Sequence, residues 1–398
     1  MKTSGVLLLA YYVILFTFTS CAGNRNIISK LIKQDPFLFA VASNPEYEVQ
    51  VIFTTVDKKK DAFKSSAYHL QNDKYFYPAS TVKMPVAILA LQKLREWQLA
   101  GTDIKLDDIM LTAGIDDKLG PALSDTTKTN KKPSIERYIQ KIFAVSDNDA
   151  YNRLYEMLGQ DYINQTLHGK GVFTNSVINH RLSIPGLSKE DNRRSNNIRF
   201  FRDQKLILDI PESIAQKEWN HHAIDAVKGV GYLDANDSLI YRPFDFTGKN
   251  FYSLRDMEAT LQRIIFPQYF EKNQQFDLTS GDYDFLKKCM SDLPKTYTHY
   301  ADHPEYYDSY VKFLMFGDSK EPIPDSIRIY NKVGNAYGYL IDCAYIENRA
   351  SNTGFFLTAV IHVNKNKIYN DGKYEYEEIG YPFLARLGKK VYEYHLKK

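Results

Sequence analysis

Between residues 82 and 94 the apolar positions Val82, Val86, Leu89, Ala90 and Leu94 recur close to the 3.6-residue period, which predicts a helix with one buried face. Ser80 is of a type that favours the N-cap, and Gly101 stands where such a helix stops. Pro85 falls in the first turn, where its missing N–H loosens the backbone without forbidding the helix. Elsewhere the period changes. Tyr47 to Val56 alternates and predicts a strand, followed by a turn around Asp57 to Asp61 and a second strand-like run ending near Tyr77. Ile104 to Gly120 reads as loop and short strand. Ser134 caps a helix through Phe143, and Ser146-Asp147-Asn148 leads into another through Leu158 that Gly159 stops. Lys189 to Arg202 shows little periodicity and reads as a solvated loop. Helices are expected over Tyr252 to Phe266, capped near Ser253, and over Ser280 to Met290. Strands return at Ser326 to Tyr330, Gly338 to Ile346 and Gly354 to Val363, before a last helix from Glu377 to about Leu396.

Strands thus occupy both chain ends and helices the middle. The expected fold is α+β with two subdomains. An antiparallel sheet built from both termini is flanked by terminal helices, and an all-helical subdomain is inserted over about residues 80–322. A site at the seam between subdomains is where pockets form.

Composition narrows the function. The chain has 398 residues, 44% of them hydrophobic, enough for one large domain or two modest ones. Its 51 basic and 48 acidic residues nearly balance, which argues against a nucleic-acid surface. Thirty tyrosines form no stacking motif. At the start, Lys2 precedes an apolar run from Gly5 to Phe18 that ends in Thr19-Ser20-Cys21-Ala22-Gly23, the layout of a secretory signal. The run is short and wrongly flanked for a membrane span. Cys21 after small residues resembles the lipobox of bacterial lipoproteins, with Phe18 where leucine is usual; a plain cleaved signal is the alternative. The expected organisation is a signal peptide over 1–20, a tether over 21–35 and a folded domain over 36–398. It implies an exported protein held at a membrane by lipid on Cys21, facing the periplasm or cell exterior; a monomer is expected. Cys289 and Cys343 make no disulfide framework. His221-His222 lacks a third ligand and His299 and His303 sit in a polar loop, so no metal and no cofactor are expected.

Chemistry gathers in short segments. Ser80 and Lys83 are three residues apart, so one helical turn sets hydroxyl beside amine. A serine becomes nucleophilic when a base takes its proton, and a lysine kept neutral by burial or a second cation can do so. Ser80-x-x-Lys83, Ser146-Asp147-Asn148 and Lys332-Val333-Gly334 stand in order on a helix, between helices and at a strand. Together they resemble the class A β-lactamase and penicillin-binding serine hydrolases, whose signatures are S-x-x-K, S-D-N and K-T-G. The resemblance spans about residue 36 to the C-terminus.

It implies that Ser80 is the acylated nucleophile and Lys83 its proton acceptor. Ser146 passes a proton to the leaving nitrogen, and Lys332 faces it and helps keep Lys83 neutral. Asn148 binds the substrate's side-chain carbonyl, Asp147 braces the loop, and backbone N–H groups of Ser80 and Asn335, after Gly334, form an oxyanion hole. Two departures stand out. Val333 replaces the threonine or serine that helps hold a β-lactam carboxylate. His180-Arg181-Leu182-Ser183-Ile184-Pro185-Gly186 fits the start of the R-L-D-x-x-E segment, but Gly186 occupies the place of the deacylating glutamate; Glu190 or Asp191 is a possible substitute. The expected activity is amide hydrolysis of the β-lactam type through acyl-Ser80. The alternatives are a D-Ala-D-Ala peptidase or esterase on the same machinery, and a non-catalytic wall-binding or sensor lipoprotein. The substrate is small or derived from peptidoglycan.

Overall fold

The computed structural model describes residues 26–127 and 132–397; the expected signal peptide and the expected lipidation site Cys21 lie outside them. Its centre is a five-stranded antiparallel sheet of β1 (Gln50–Asp57), β2 (Ala62–Tyr68), β3 (Ile327–Ala336), β4 (Tyr339–Asn348) and β5 (Thr353–His362), in the order β3-β4-β5-β1-β2. The two chain ends meet where Gln50 pairs with Val360 and Thr55 with Phe355. Residues 339–346 of β4 are all buried, which accounts for an apolar run broken only by Asp342.

One sheet face packs on α1 (Ile27–Lys33), α2 (Pro36–Ser43) and the C-terminal α8 (Tyr381–Leu396), through Ile28, Leu38, Phe355, Leu384 and Leu387 among others. Asp35 caps α2, accepting from the Phe37 and Leu38 N–H groups at 3.0 and 3.1 Å with Pro36 at the first helical position. Its other oxygen meets Arg386 of α8 at 2.5 Å, so one carboxylate ties the two chain ends together. The expected tether is therefore corrected from residue 27 onward. Ile28, Leu31 and Ile32 are buried, and this segment is part of the core.

The opposite sheet face looks onto α3 (Lys83–Leu99), α4 (Ile135–Ala144), α5 (Asn148–Gly169), α6 (Leu254–Ile265) and α7 (Ser280–Ser291). Several expectations change here. In α3 every residue from Lys83 to Gln92 is buried, so the helix runs through the core and has no single apolar face. Ser80 does not cap it: a 3₁₀ turn over Ala79–Val82 leads in, with no side-chain cap. Gly159 kinks α5 with φ +71°, and the helix resumes to Gly169. The inserted region is not all-helical. It contains an antiparallel ribbon of Ile109–Thr112, Ile198–Arg202 and Lys205–Ile210, together with shorter strand pairs. Lys189 to Arg202 is thus a capped helical turn and a strand rather than a loop. Cys289 and Cys343 are both buried free thiols. Among the described residues no helix is long and apolar enough to cross a membrane.

Candidate active site

The turn that carries Ser80 is fixed by its own backbone. The Pro78 carbonyl accepts from the Thr81 N–H at 3.1 Å and the Thr81 hydroxyl at 2.6 Å, and Ala79 takes a left-handed φ of +47°. Ser80 is left half-buried on the wall of a cavity of about 370 Å³ with Asn148, Ser183, Asn335 and Tyr337. β3, an edge strand of the sheet, packs against this turn. Gly334 makes the contact possible: a Cβ there would stand 2.8 Å from the Pro78 oxygen.

Ser146 lies between α4 and α5 with φ +58°. The next residue, Asp147, caps α5 through the Ala150 N–H at 2.7 Å and meets Lys141 at 3.4 Å. Two amines converge on Ser146. Lys83 Nζ donates to its carbonyl in a short contact and to its Oγ at 3.3 Å, and Lys332 Nζ donates to the same Oγ at 2.8 Å. Lys83 also reaches Asn148 Oδ1 at 2.7 Å, while Lys332 donates to the Val333 carbonyl at 2.9 Å. Both lysines are almost fully removed from solvent, at 0% and 2% exposure. Burial pushes Lys83 down to about 7, with Asp147 opposing. Lys332 is held well below its ordinary value by burial first and by the neighbouring Lys83 charge second.

The structure thus joins Lys83, Ser146, Asn148 and Lys332 in one hydrogen-bonded network, next to a cavity lined by Ser80, Asn148 and Asn335. Asn335 is exposed, and its side chain donates to Tyr381 Oη at 2.9 Å. Val333 is placed otherwise than the K-T-G comparison implies. Strand alternation turns it away from Lys332 and Gly334, into the core layer that also holds Leu314 and Leu384. Asp191, one suggested deacylating base, is occupied. It accepts from the Ser188 N–H at 2.9 Å in a capping box, pairs with Lys118 at 3.2 Å, and those bonds hold its carboxyl down to about 2. Glu190 pairs with Arg193 at 3.1 Å. Neither lines the Ser80 cavity.

Three residues of α5 fix the loop that closes the site. Asn148, Asn152 and Glu156 recur every fourth position and so share one helix face. Asn148 Nδ2 donates to Ser183 Oγ at 2.8 Å; Asn152 exchanges hydrogen bonds with the Leu182 backbone, both at 2.9 Å; Glu156 meets Arg181 at 3.0 Å in a fully buried pair. Asn152 and Glu156 escaped the sequence reading, although their spacing from Asn148 was the available signal. Among the described residues no group of His, Cys, Asp and Glu converges as a metal site would.

Solved structures share this architecture. PBP-A is 16% identical with a TM-score of 0.55, covering 94% of this chain and 97% of its own. A PBP-A mutant solved as an acyl-enzyme complex with penicillin G gives 16%, 0.54, 93% and 97%. A β-lactamase from Desulfarculus baarsii gives 12%, 0.52, 92% and 97%. No curated protein matches the sequence. Residues 37–278 match the family described as Beta-lactamase enzyme family, more than half of the chain. With the fold and this match in hand, the chain belongs to the β-lactamase enzyme family.

Proposed function

We propose that this protein is a serine acyl-transfer hydrolase that opens an amide of the β-lactam type through an ester on Ser80. The observation that carries the reading is Ser146 Oγ lying within hydrogen-bond range of two desolvated lysines, at 3.3 and 2.8 Å, one of them held to about 7. Neutral Lys83 accepts the Ser80 proton as Oγ attacks the carbonyl carbon. The backbone N–H groups of Ser80 and Asn335 take the oxyanion, a contribution of about 3 kcal/mol per aimed donor. As the carbon–nitrogen bond breaks, Ser146 gives its proton to the leaving nitrogen and is reprotonated from the lysine pair. Water then cleaves the ester, releasing the acid and restoring Ser80.

The two carboxylates near residue 190 are both engaged in ion pairs outside the Ser80 cavity. That favours slow deacylation, so a peptidase-like enzyme that stalls with β-lactams is the second reading. Intact mass after incubation with a penicillin and a cephalosporin separates them. A persistent adduct on wild type, absent in Ser80→Ala, supports the stalled form; rapid return to the free mass with steady hydrolysis supports a lactamase. No adduct with any acyl donor, esters included, overturns both and leaves a binding protein. Membrane attachment through Cys21 belongs to the same proposal. It is tested by whether Cys21→Ala releases the protein from the membrane fraction.

A further inference from the structure

A second cavity, of about 750 Å³, adjoins the one that holds Ser80 and shares Tyr77, Ser183, Tyr337 and Asn370 with it. One wall is the loop over 180–187 with the helical turn that follows it, and another comes from residues 218–249, a segment outside the acyl-transfer network. The two cavities thus have these four residues as a common boundary, with Ser80 on one side and Phe244 and Lys249 on the other.

The wall at that junction is aromatic and carries a cation. Phe244 and Tyr337 lie 5.5 Å apart, and Tyr77 meets Tyr337 edge-on at 4.9 Å. Lys249 Nζ sits 5.6 Å from the Phe244 ring centre and 5.8 Å from that of Tyr337. Among the described residues no carboxylate lies within ion-pair distance of it. Burial pushes its ammonium down from the ordinary value, a cost that an anionic ligand would offset. The other charges around the cavity are accounted for differently. Arg193 faces Glu190 at 3.1 Å and Glu218 at 3.9 Å, and Asp234 accepts the Asn236 and Ser238 N–H groups of its own turn. Lys189 and Asp237 are exposed. Along the same wall Asn179 Oδ1, His180 Nε2 and Arg193 Nε are buried without partners, a wall the protein does not satisfy by itself.

We infer that this cavity is an acyl-side subsite for a chain that bears a carboxylate, with Lys249 as the residue that selects it and Phe244 and Tyr337 as the surface on which its apolar part lies. The reading of the ligand as the acyl portion rests on the proposed function; recognition of the carboxylate does not need Ser80.

The test compares two penicillins that differ by one acyl-side carboxylate, benzylpenicillin and carbenicillin, by the rate of adduct formation in intact mass. The wild type is expected to favour the carboxylated donor about tenfold, the order of one charge-assisted contact. Lys249→Met is expected to bring the ratio to about one and Lys249→Arg to preserve it, with thermal melting confirming that both variants fold. An unchanged ratio in Lys249→Met overturns the subsite. A second readout is independent of acylation: ligand-observed NMR of phenylmalonate against phenylacetamide on Ser80→Ala, with and without Lys249→Met. Carboxylate-dependent binding that disappears with Lys249 supports the inference; equal binding to both variants, or to neither, overturns it. If no donor acylates the wild type, the hydrolase reading falls while this binding test still decides the subsite.

Discussion

Gly334→Ala puts the seam between sheet and nucleophile under direct strain. The added Cβ would stand 2.8 Å from the Pro78 oxygen and 3.2 Å from both Ala79 Cβ and Thr81 Cγ2. Against an ordinary contact of about 3.4 Å, the shortfall toward Pro78 is about 0.6 Å. The atom in the way is backbone, and it is the acceptor of both hydrogen bonds that shape the turn bearing Ser80. The turn must therefore retreat or loosen. Overpacking of this kind costs about 1–3 kcal/mol, which for a chain of this length is a melting shift of about 1–4 °C. Acylation suffers more, because displacements approaching 1 Å at a reacting centre cost on the order of 100-fold. The expected outcome is a fall of about 10- to 100-fold in the rate of penicillin adduct formation by intact mass, with the fold retained by circular dichroism. Gly120→Ala is the control, since a Cβ there meets nothing within 4 Å. If Gly334→Ala acylates at the wild-type rate, the turn is not held by β3 and the geometric argument fails.

Other variants test separate parts. Since Lys83 must be neutral to accept a proton and is held to about 7, acylation should rise with pH about a midpoint near 7 and level off above it; a flat profile from pH 6 to 8.5 would rule Lys83 out. Lys83→Met should slow acylation about 10²- to 10⁴-fold at pH 7.5, with circular dichroism confirming that the fold is retained. Glu258, buried and accepting from Thr54 at 2.5 Å and Thr358 at 3.0 Å, is raised by burial from 4.5 to about 7. The folded protein therefore holds this proton more tightly than the unfolded chain. The resulting stability is full below pH 4.5 and is lost as pH rises to about 7, a span of about 3 kcal/mol. Glu258→Gln should flatten that slope in denaturant titrations, and an unaltered slope counts against the assignment. Val333→Thr should cost about 1–2 kcal/mol in chemical denaturation without quickening acylation by penicillins, because the hydroxyl would enter the core rather than the cleft.

The network around Ser146 was legible because each member carries a distinct functional group at a fixed spacing. Lys83 follows Ser80 by one turn, and Lys332 precedes a glycine on a strand. The sheet was legible too, since β4 and β5 are apolar runs long enough to be unmistakable. What failed were features set by long-range contact. Residues 27–33 read as a tether because their apolar positions, Ile27, Ile28, Leu31 and Ile32, acquire meaning only against β1, β2 and α8. The strand over 198–202 was hidden by its arginines. Ile198 and Phe200 face inward and Arg199 outward, and Arg202 is drawn to Asp108 by paired bonds of 2.7 Å. Position 333 was compared by motif letter alone, and a letter does not say which way a strand turns its side chain.

Pairing between β1 and β5 joins residues some three hundred positions apart. Closing so long a loop is slow, so the central layer is a late event in folding. During synthesis the first hairpin must wait, its edge unmatched, until nearly the whole polypeptide has emerged.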